Sequence, residues 1–138
     1  MARNAKSLQL KSRTHQVFLD NPRVNRYRVI SGGSGREYIV NIFSDGTAGC
    51  NCDWAVKRAE VISEQHGTSA CSHTIAVFEF RAQGNGYRVS AWSSPEDVRR
   101  QHRHSRDIGD GLLLTARRIP RRYVQSDFFV VVDRAARV

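Results

Sequence analysis

Gly49-Cys50-Asn51-Cys52 and Ala70-Cys71-Ser72-His73 together hold every cysteine of the chain, with eighteen residues between Cys52 and Cys71. Side chains alternate on an extended strand, so cysteines at i and i+2 present both sulfurs to one side and reach one ion without distortion. Cys71 and His73 form a second such pair where a loop enters a helix, and the positive end of a helix favours thiolate charge. Three thiolates and one neutral imidazole make a complete tetrahedral ligand set, and zinc suits it best. Cys50, Cys52, Cys71 and His73 are therefore the expected ligands of one structural Zn2+. The competing reading treats cysteines as small buried hydrophobes, but it leaves the matched pairing unexplained. His15 and His66 are alternatives to His73 in principle, though the spacing of His66 fits no ligand pattern. A catalytic zinc keeps an open position. Four protein ligands close this one, and no catalytic residue is assigned.

Working outward, the stretch before Cys50 reads as a β-meander. Arg26–Ile30 alternates polar and apolar residues, the period of a half-buried strand. Ser31-Gly32-Gly33-Ser34-Gly35 is a turn, and Glu37–Phe43 is rich in β-branched and aromatic residues, as a central strand requires. Asp45-Gly46 signals a tight turn, after which Thr47–Cys50 returns. Asp53 can cap a helix over Trp54–Gln65 that stops at Gly67. A second, apolar helix is expected over His73–Gln83. Residues 1–24 read as a basic arm or short helix, because Leu8, Leu10, Val17, Phe18 and Leu19 follow a weakly helical pattern up to Asn21-Pro22.

The last third, residues 85–138, reads as strand, helix, strand, strand. Tyr87–Trp92 is the first strand. Ser94-Pro95-Glu96-Asp97 is a helix start with a serine cap, proline in the first turn and an acid in the capping-box position, and the pattern extends that helix to about Ser105. Leu112–Arg118 and Phe128–Val132 are the remaining strands. The expected fold class is α+β, with a zinc-bound ββα finger at residues 25–84 and the basic C-terminal region packed with it as a single domain.

The net charge is +9 and the sequence pI about 10.3, which attracts phosphate polymers. Nineteen of the 22 cations are arginine, an enrichment that base composition can also produce. Arg99, Arg103 and Arg106 fall at i, i+4 and i+7 of the expected helix, with Arg100 and His102 beside them. Arg117, Arg118, Arg121 and Arg122 form a second cluster. Arginine forks match phosphate oxygens, so these eight arginines are the expected nucleic-acid contacts, with Tyr87, Trp92 and Tyr123 available for stacking. The pattern contains no base-reading module, so binding would be backbone-driven and salt-sensitive.

Several classes are disfavoured. Three cysteines do not suit a secreted disulfide framework and fit a reducing compartment, the cytoplasm, whether nucleoid-associated or in a host cell if viral. No signal-peptide pattern or apolar run of membrane-spanning length is present, so neither a membrane nor a small-molecule substrate is expected as a partner. Ser31–Gly35 lacks the lysine of a phosphate-binding loop, and no carboxylate cluster suggests a catalytic metal. An enzyme is not expected.

Cys50-x-Cys52 and Cys71-x-His73, preceded by two hairpin strands and followed by Thr74-Ile75-Ala76-Val77-Phe78, resemble the SWIM-type zinc finger over roughly residues 36–82. That family has a ββα arrangement with an apolar helix after the histidine. It occurs in chromatin remodellers, transposases and recombination-associated proteins. Ala70 stands where the family often has proline or glycine, and the segment between the ligand pairs is long. The resemblance implies a DNA-binding or protein-interaction role without an activity of its own. Two functions follow: a nucleic-acid-binding protein, DNA favoured over RNA, or an adaptor that docks a protein partner through the finger and the Trp54 helix.

Overall fold

The computed structural model describes residues 4–53, 56, 70–109 and 111–120. The fold is α+β, with an antiparallel sheet of four strands, then a helix, then an antiparallel sheet of three. The first sheet runs β1 (Gln16–Asn21), β2 (Arg26–Ile30), β3 (Glu37–Ile42) and β4 (Ala48–Cys50), in sequence order. It is the expected meander with one more strand at its edge. The turn between β3 and β4 depends on Gly46, whose φ of 91° is open to glycine and strained for other residues. Asp45 Oδ1 accepts from the Thr47 amide at 2.9 Å and closes that turn.

The apolar cluster Val17-Phe18-Leu19, in the stretch read as a basic arm or short helix, lies in β1, pairing Val17 with Val29 and Leu19 with Tyr27. The free edge of β2 supplies a ladder that a lone short helix would not, and tertiary pairing outweighs a weak local pattern. Of the two readings of residues 1–24, the short helix is present as α1 (Ala5–Ser12), capped by Asn4, whose Oδ1 accepts from the Ser7 amide at 3.0 Å.

Helix α2 (Ser72–Gly84) is the centre of the molecule, and every residue from Ser72 to Glu79 is buried. A helix buried all round must satisfy each polar group it carries. Thr74 Oγ1 accepts from the Cys71 amide at 2.9 Å, and Glu79 pairs with Arg13 at 3.3 Å. Ile75, Val77 and Phe78 of α2 share one contiguous apolar cluster with Val29, Val40 and Ile42 of the first sheet and Val89, Ala91, Ile108, Leu112 and Leu114 of the second. Fully burying a side chain such as Ile75 or Leu112 contributes about 1.5–3 kcal/mol.

The second sheet has the order β5-β7-β6, from β5 (Tyr87–Trp92), β6 (Ser105–Gly109) and β7 (Leu112–Arg118). Its composition corrects the reading of the last third. Helix α3 spans only Pro95–Arg99, with Ser94 as the expected cap, and does not continue to Ser105. The chain turns through His102, at a φ of 53°, and Ser105–Gly109 pairs with β7 instead. Ile108, 1% exposed, drives the change by entering the core. The outer edge of β5 is closed by a side chain: Gln9 Nε2 donates to the Val89 carbonyl at 3.2 Å, and its Oε1 accepts from the Ala91 amide at 3.0 Å. Phe128–Val132 and most of the Trp54–Gln65 helix lie outside the described residues. Asp53 and Val56 are helical, with the Val56 amide donating to the Cys52 carbonyl at 3.0 Å.

Candidate metal centre

Cys50 ends β4, where it pairs with Val40 of β3. Asn51 then continues the ladder in two ways. Its amide donates to the Ile39 carbonyl at 3.2 Å, and its Oδ1 accepts from the Ile39 amide at 2.8 Å. The residue between the first two cysteines is thus clamped to β3, so Cys50 and Cys52 are held at fixed spacing. Gly49 permits the approach, since a Cβ there would stand 3.1 Å from the Phe43 ring. On the other side, Cys71 is the N-cap of α2, and Thr74 holds its backbone at both N–H and C=O, with distances of 2.9 and 2.8 Å. His73 follows within the first turn.

The hairpin end and the helix start meet, and the donor atoms of Cys50, Cys52, Cys71 and His73 all lie within 4.8 Å of one another. An ion with metal–sulfur bonds of about 2.3 Å and a metal–nitrogen bond of about 2.0 Å sets ligand–ligand edges of about 3.5–3.8 Å. Cys71 Sγ and His73 Nδ1 stand 3.7 Å apart, within that range. Charge points the same way. The sulfurs of Cys52 and Cys71, with burial, push the Cys50 thiol far above its ordinary range. Burial opposes a charged His73 imidazole, yet the sulfurs of Cys52 and Cys71 outweigh it and raise its pKa to about 9. Both shifts say that the cluster favours positive charge at its centre. The residues therefore fit a tetrahedral metal ion.

Three neighbours of the cluster were not singled out from sequence as its supports. The His15 ring stacks on His73 with centroids 4.6 Å apart, and Tyr38 contacts the same imidazole at 4.5 Å. His15 is not among the clustered donors, and both its nitrogens are engaged: Nδ1 accepts from the Gly32 amide at 3.0 Å, and Nε2 bonds Ser72 Oγ at 3.0 Å. The Gly32 amide fixes the proton on Nε2, so Ser72 is the acceptor. Burial, helped by His73 and Lys11, lowers the His15 pKa to about 4 and keeps the ring neutral. Asn51 is the third neighbour. Sequence spacing identifies donors, but not the groups that touch them from a distant strand. His66 lies outside the described residues.

The arginines are distributed differently from the expected stripe. Arg99 sits on α3, where it faces Glu96 at 3.8 Å in full solvent, and Arg100 caps that helix. Arg103 lies in the following turn and Arg106 on β6, so no single helix face carries them. Arg117 and Arg118 are exposed at the end of β7, opposite Arg88 and Tyr87 of β5. Arg118 lies over the Tyr87 ring, 5.5 Å from its centroid, and Nη2 donates to the Tyr87 hydroxyl at 3.3 Å. Arg121, Arg122 and Tyr123 lie outside the described residues. Trp92 is covered by Lys6, whose Nζ stands 3.6 Å from the ring centroid. Among the described residues no helix is long and apolar enough to cross a membrane.

Comparison of the chain with protein-family models, curated proteins and solved structures finds no match.

Proposed function

We propose that this is a zinc-stabilised nucleic-acid-binding protein of the SWIM-finger type, with DNA as the favoured ligand and no catalytic activity of its own. Zinc is the ion that three thiolates and an imidazole select, and four protein ligands leave it no open position for a substrate. The metal joins the β3–β4 hairpin to α2, and α2 in turn carries the second sheet. Unbridged thiols suit a reducing compartment such as the cytoplasm.

One observation carries the nucleic-acid reading. Arg88 and Arg117 are direct cross-strand partners, with Arg118 next in β7. Like charges facing across a ladder destabilise a sheet, and among the described residues no carboxylate forms an ion pair with Arg88 or Arg117. A polyanion bound there relieves the repulsion. Arg117 shares one face of the second sheet with Arg88, and Arg106 and Arg118 lie on the other; all three are the foremost phosphate contacts of a polyanion that wraps this end, with Arg99, Arg100, Arg103, Arg121 and Arg122 as further candidates.

An electrophoretic shift series with DNA and RNA across a range of salt tests the reading. Binding that weakens steeply as salt rises supports it, and no shift at low salt defeats it. The adaptor reading then stands in its place, with Phe18, Leu19, Phe43 and Phe80, each 41–51% exposed, as its candidate contacts.

A further inference from the structure

A groove of about 510 Å³ separates the C-terminal half of α2 from the end of the second sheet. Its floor is apolar, formed by Phe78, Ala82, Val89 and Leu114, and cations from two elements stand over it: Arg81 of α2 and Arg106 of β6. Neither arginine forms an ion pair with a described carboxylate. Arg106 is also braced, since its Cδ and Nε lie beside the β3–β4 turn, 3.9 Å from where a Gly46 Cβ would be. Tyr87 lines the same groove, and its ring is held by Arg118.

We infer that this groove binds single-stranded DNA, with an unpaired base stacked at the Tyr87–Arg118 pair and the flanking phosphates held by Arg81 and Arg106. The inference rests on the nucleic-acid reading and narrows it. Duplex DNA is read by convex elements, a helix or a ribbon that enters a groove about 12 Å wide. This site is the reverse shape, a cleft of the size that encloses small ligands. Strand binding without sequence preference uses a cationic groove with aromatic platforms, and both are present. Arginine planes stack on bases as well as on rings, so the Tyr87–Arg118 pair presents a combined platform. Charge complementarity requires an anion. A carboxylate-rich peptide satisfies the cations but leaves that platform unused.

The test measures fluorescence anisotropy of the zinc-loaded full chain with labelled oligo-dT, the matching duplex, oligo-U and a poly-glutamate peptide, each over a salt series. Expected is a preference for oligo-dT over the duplex of about ten-fold or more. Arg81→Ala combined with Arg106→Ala should lower oligo-dT affinity about ten-fold or more and reduce the salt slope by about 1.4, the share of two phosphates on a single strand. Tyr87→Ala should cost about five-fold or more with the salt slope unchanged. A charge-matched control, Arg23→Ala with Arg36→Ala on turns of the first sheet, should change affinity less than about two-fold. Photocrosslinking of iododeoxyuridine-substituted oligo-dT to the unmodified protein, mapped by mass spectrometry, should mark the Tyr87 peptide, and it does not depend on any variant folding. Equal affinity for duplex and single strand, equal losses in the charge-matched control, or crosslinks confined to the first sheet would overturn the groove while leaving nucleic-acid binding intact. Equal or tighter binding of oligo-U overturns the choice of DNA, and tighter binding of poly-glutamate overturns the nucleic-acid occupant. No binding of any oligonucleotide at low salt overturns both readings.

Discussion

The imidazole of His15 lies on the imidazole of His73 with ring centroids 4.6 Å apart and planes inclined by 23°. One belongs to the candidate metal centre, while the other joins the loop after α1 to Ser72 at the start of α2 and to Gly32 beyond β2. A residue 58 positions away in sequence thus fixes the plane of a proposed ligand. Groups that hydrogen-bond a ligand change metal affinity by about ten- to a hundred-fold when removed, and a group that orients a ligand by stacking alone belongs at the low end of that range. His15→Ala should weaken zinc binding by about ten-fold and cost about 2 kcal/mol of stability, because the Gly32 amide and Ser72 hydroxyl lose their partner. Competition with a chromophoric chelator measures the first and denaturant unfolding the second. An unchanged zinc affinity would show that His15 only packs.

Protein prepared without chelator should contain one zinc per chain by elemental analysis. Zinc binding to a structural site is part of the folding free energy. Cys71→Ser should therefore cost several kcal/mol, a large share of a total of about 5–15 kcal/mol. Chelation should produce the same loss in the unmodified protein. Thermal unfolding followed by near-ultraviolet circular dichroism reads both. If the zinc-free chain melts at the same temperature as the loaded one, the metal does not hold this fold.

Zinc affinity should depend on pH in one direction. Bound ligands must shed their protons, so protons compete with the ion. The Cys52 and Cys71 sulfurs raise His73 to about 9 against the opposing effect of burial, and Cys50 is raised as well. His73 thus retains its proton in the zinc-free fold up to about pH 9, against an ordinary imidazole value near 6.5. That proton stabilises the zinc-free fold fully below the ordinary value, and the contribution is lost as pH rises through about 9. Apparent zinc affinity should accordingly climb from pH 6 to pH 9 (roughly neutral to mildly alkaline). Chelator competition at several pH values checks this, and a flat profile would contradict it.

Gln9 substitutes for a neighbouring strand along β5. Gln9→Leu keeps similar volume but strands the Ala91 amide and the Val89 carbonyl, which the amide side chain now satisfies. Leaving such buried groups without partners costs about 1–3 kcal/mol each. Denaturant unfolding should show a loss of about 2–4 kcal/mol, with amide exchange speeding up at Ala91. Full stability in Gln9→Leu would mean that water serves the edge equally well.

The donors of the metal centre were legible because their signal is short-range. Cys50 and Cys52 share a strand face through alternation, Cys71 and His73 share a helix start, and apolar periodicity marks β2, β3, α2, β5 and β7. The supports were not legible. Nothing local in Thr14-His15-Gln16 indicates that His15 will stack on His73, and Asn51 looks like a spacer until its side chain is seen on Ile39.

The chain by itself determined which residues can ligate a metal, the net charge of +9, and the apolar helix that follows Cys71. Those properties depend on residue chemistry and on spacings of two to four positions. Tertiary structure alone decided that Val17-Phe18-Leu19 would be strand, and that Arg106 would leave the α3 helix for β6. Ser105–Gly109 contains one core residue, Ile108, too little apolar pattern to mark a strand. Burying that side chain in the common apolar core and pairing its strand with β7 outweighs continuation of a solvated arginine helix. The arginine stripe was consequently dispersed, and of its members Arg106 alone joins Arg81 and Tyr87 at the groove beside the second sheet.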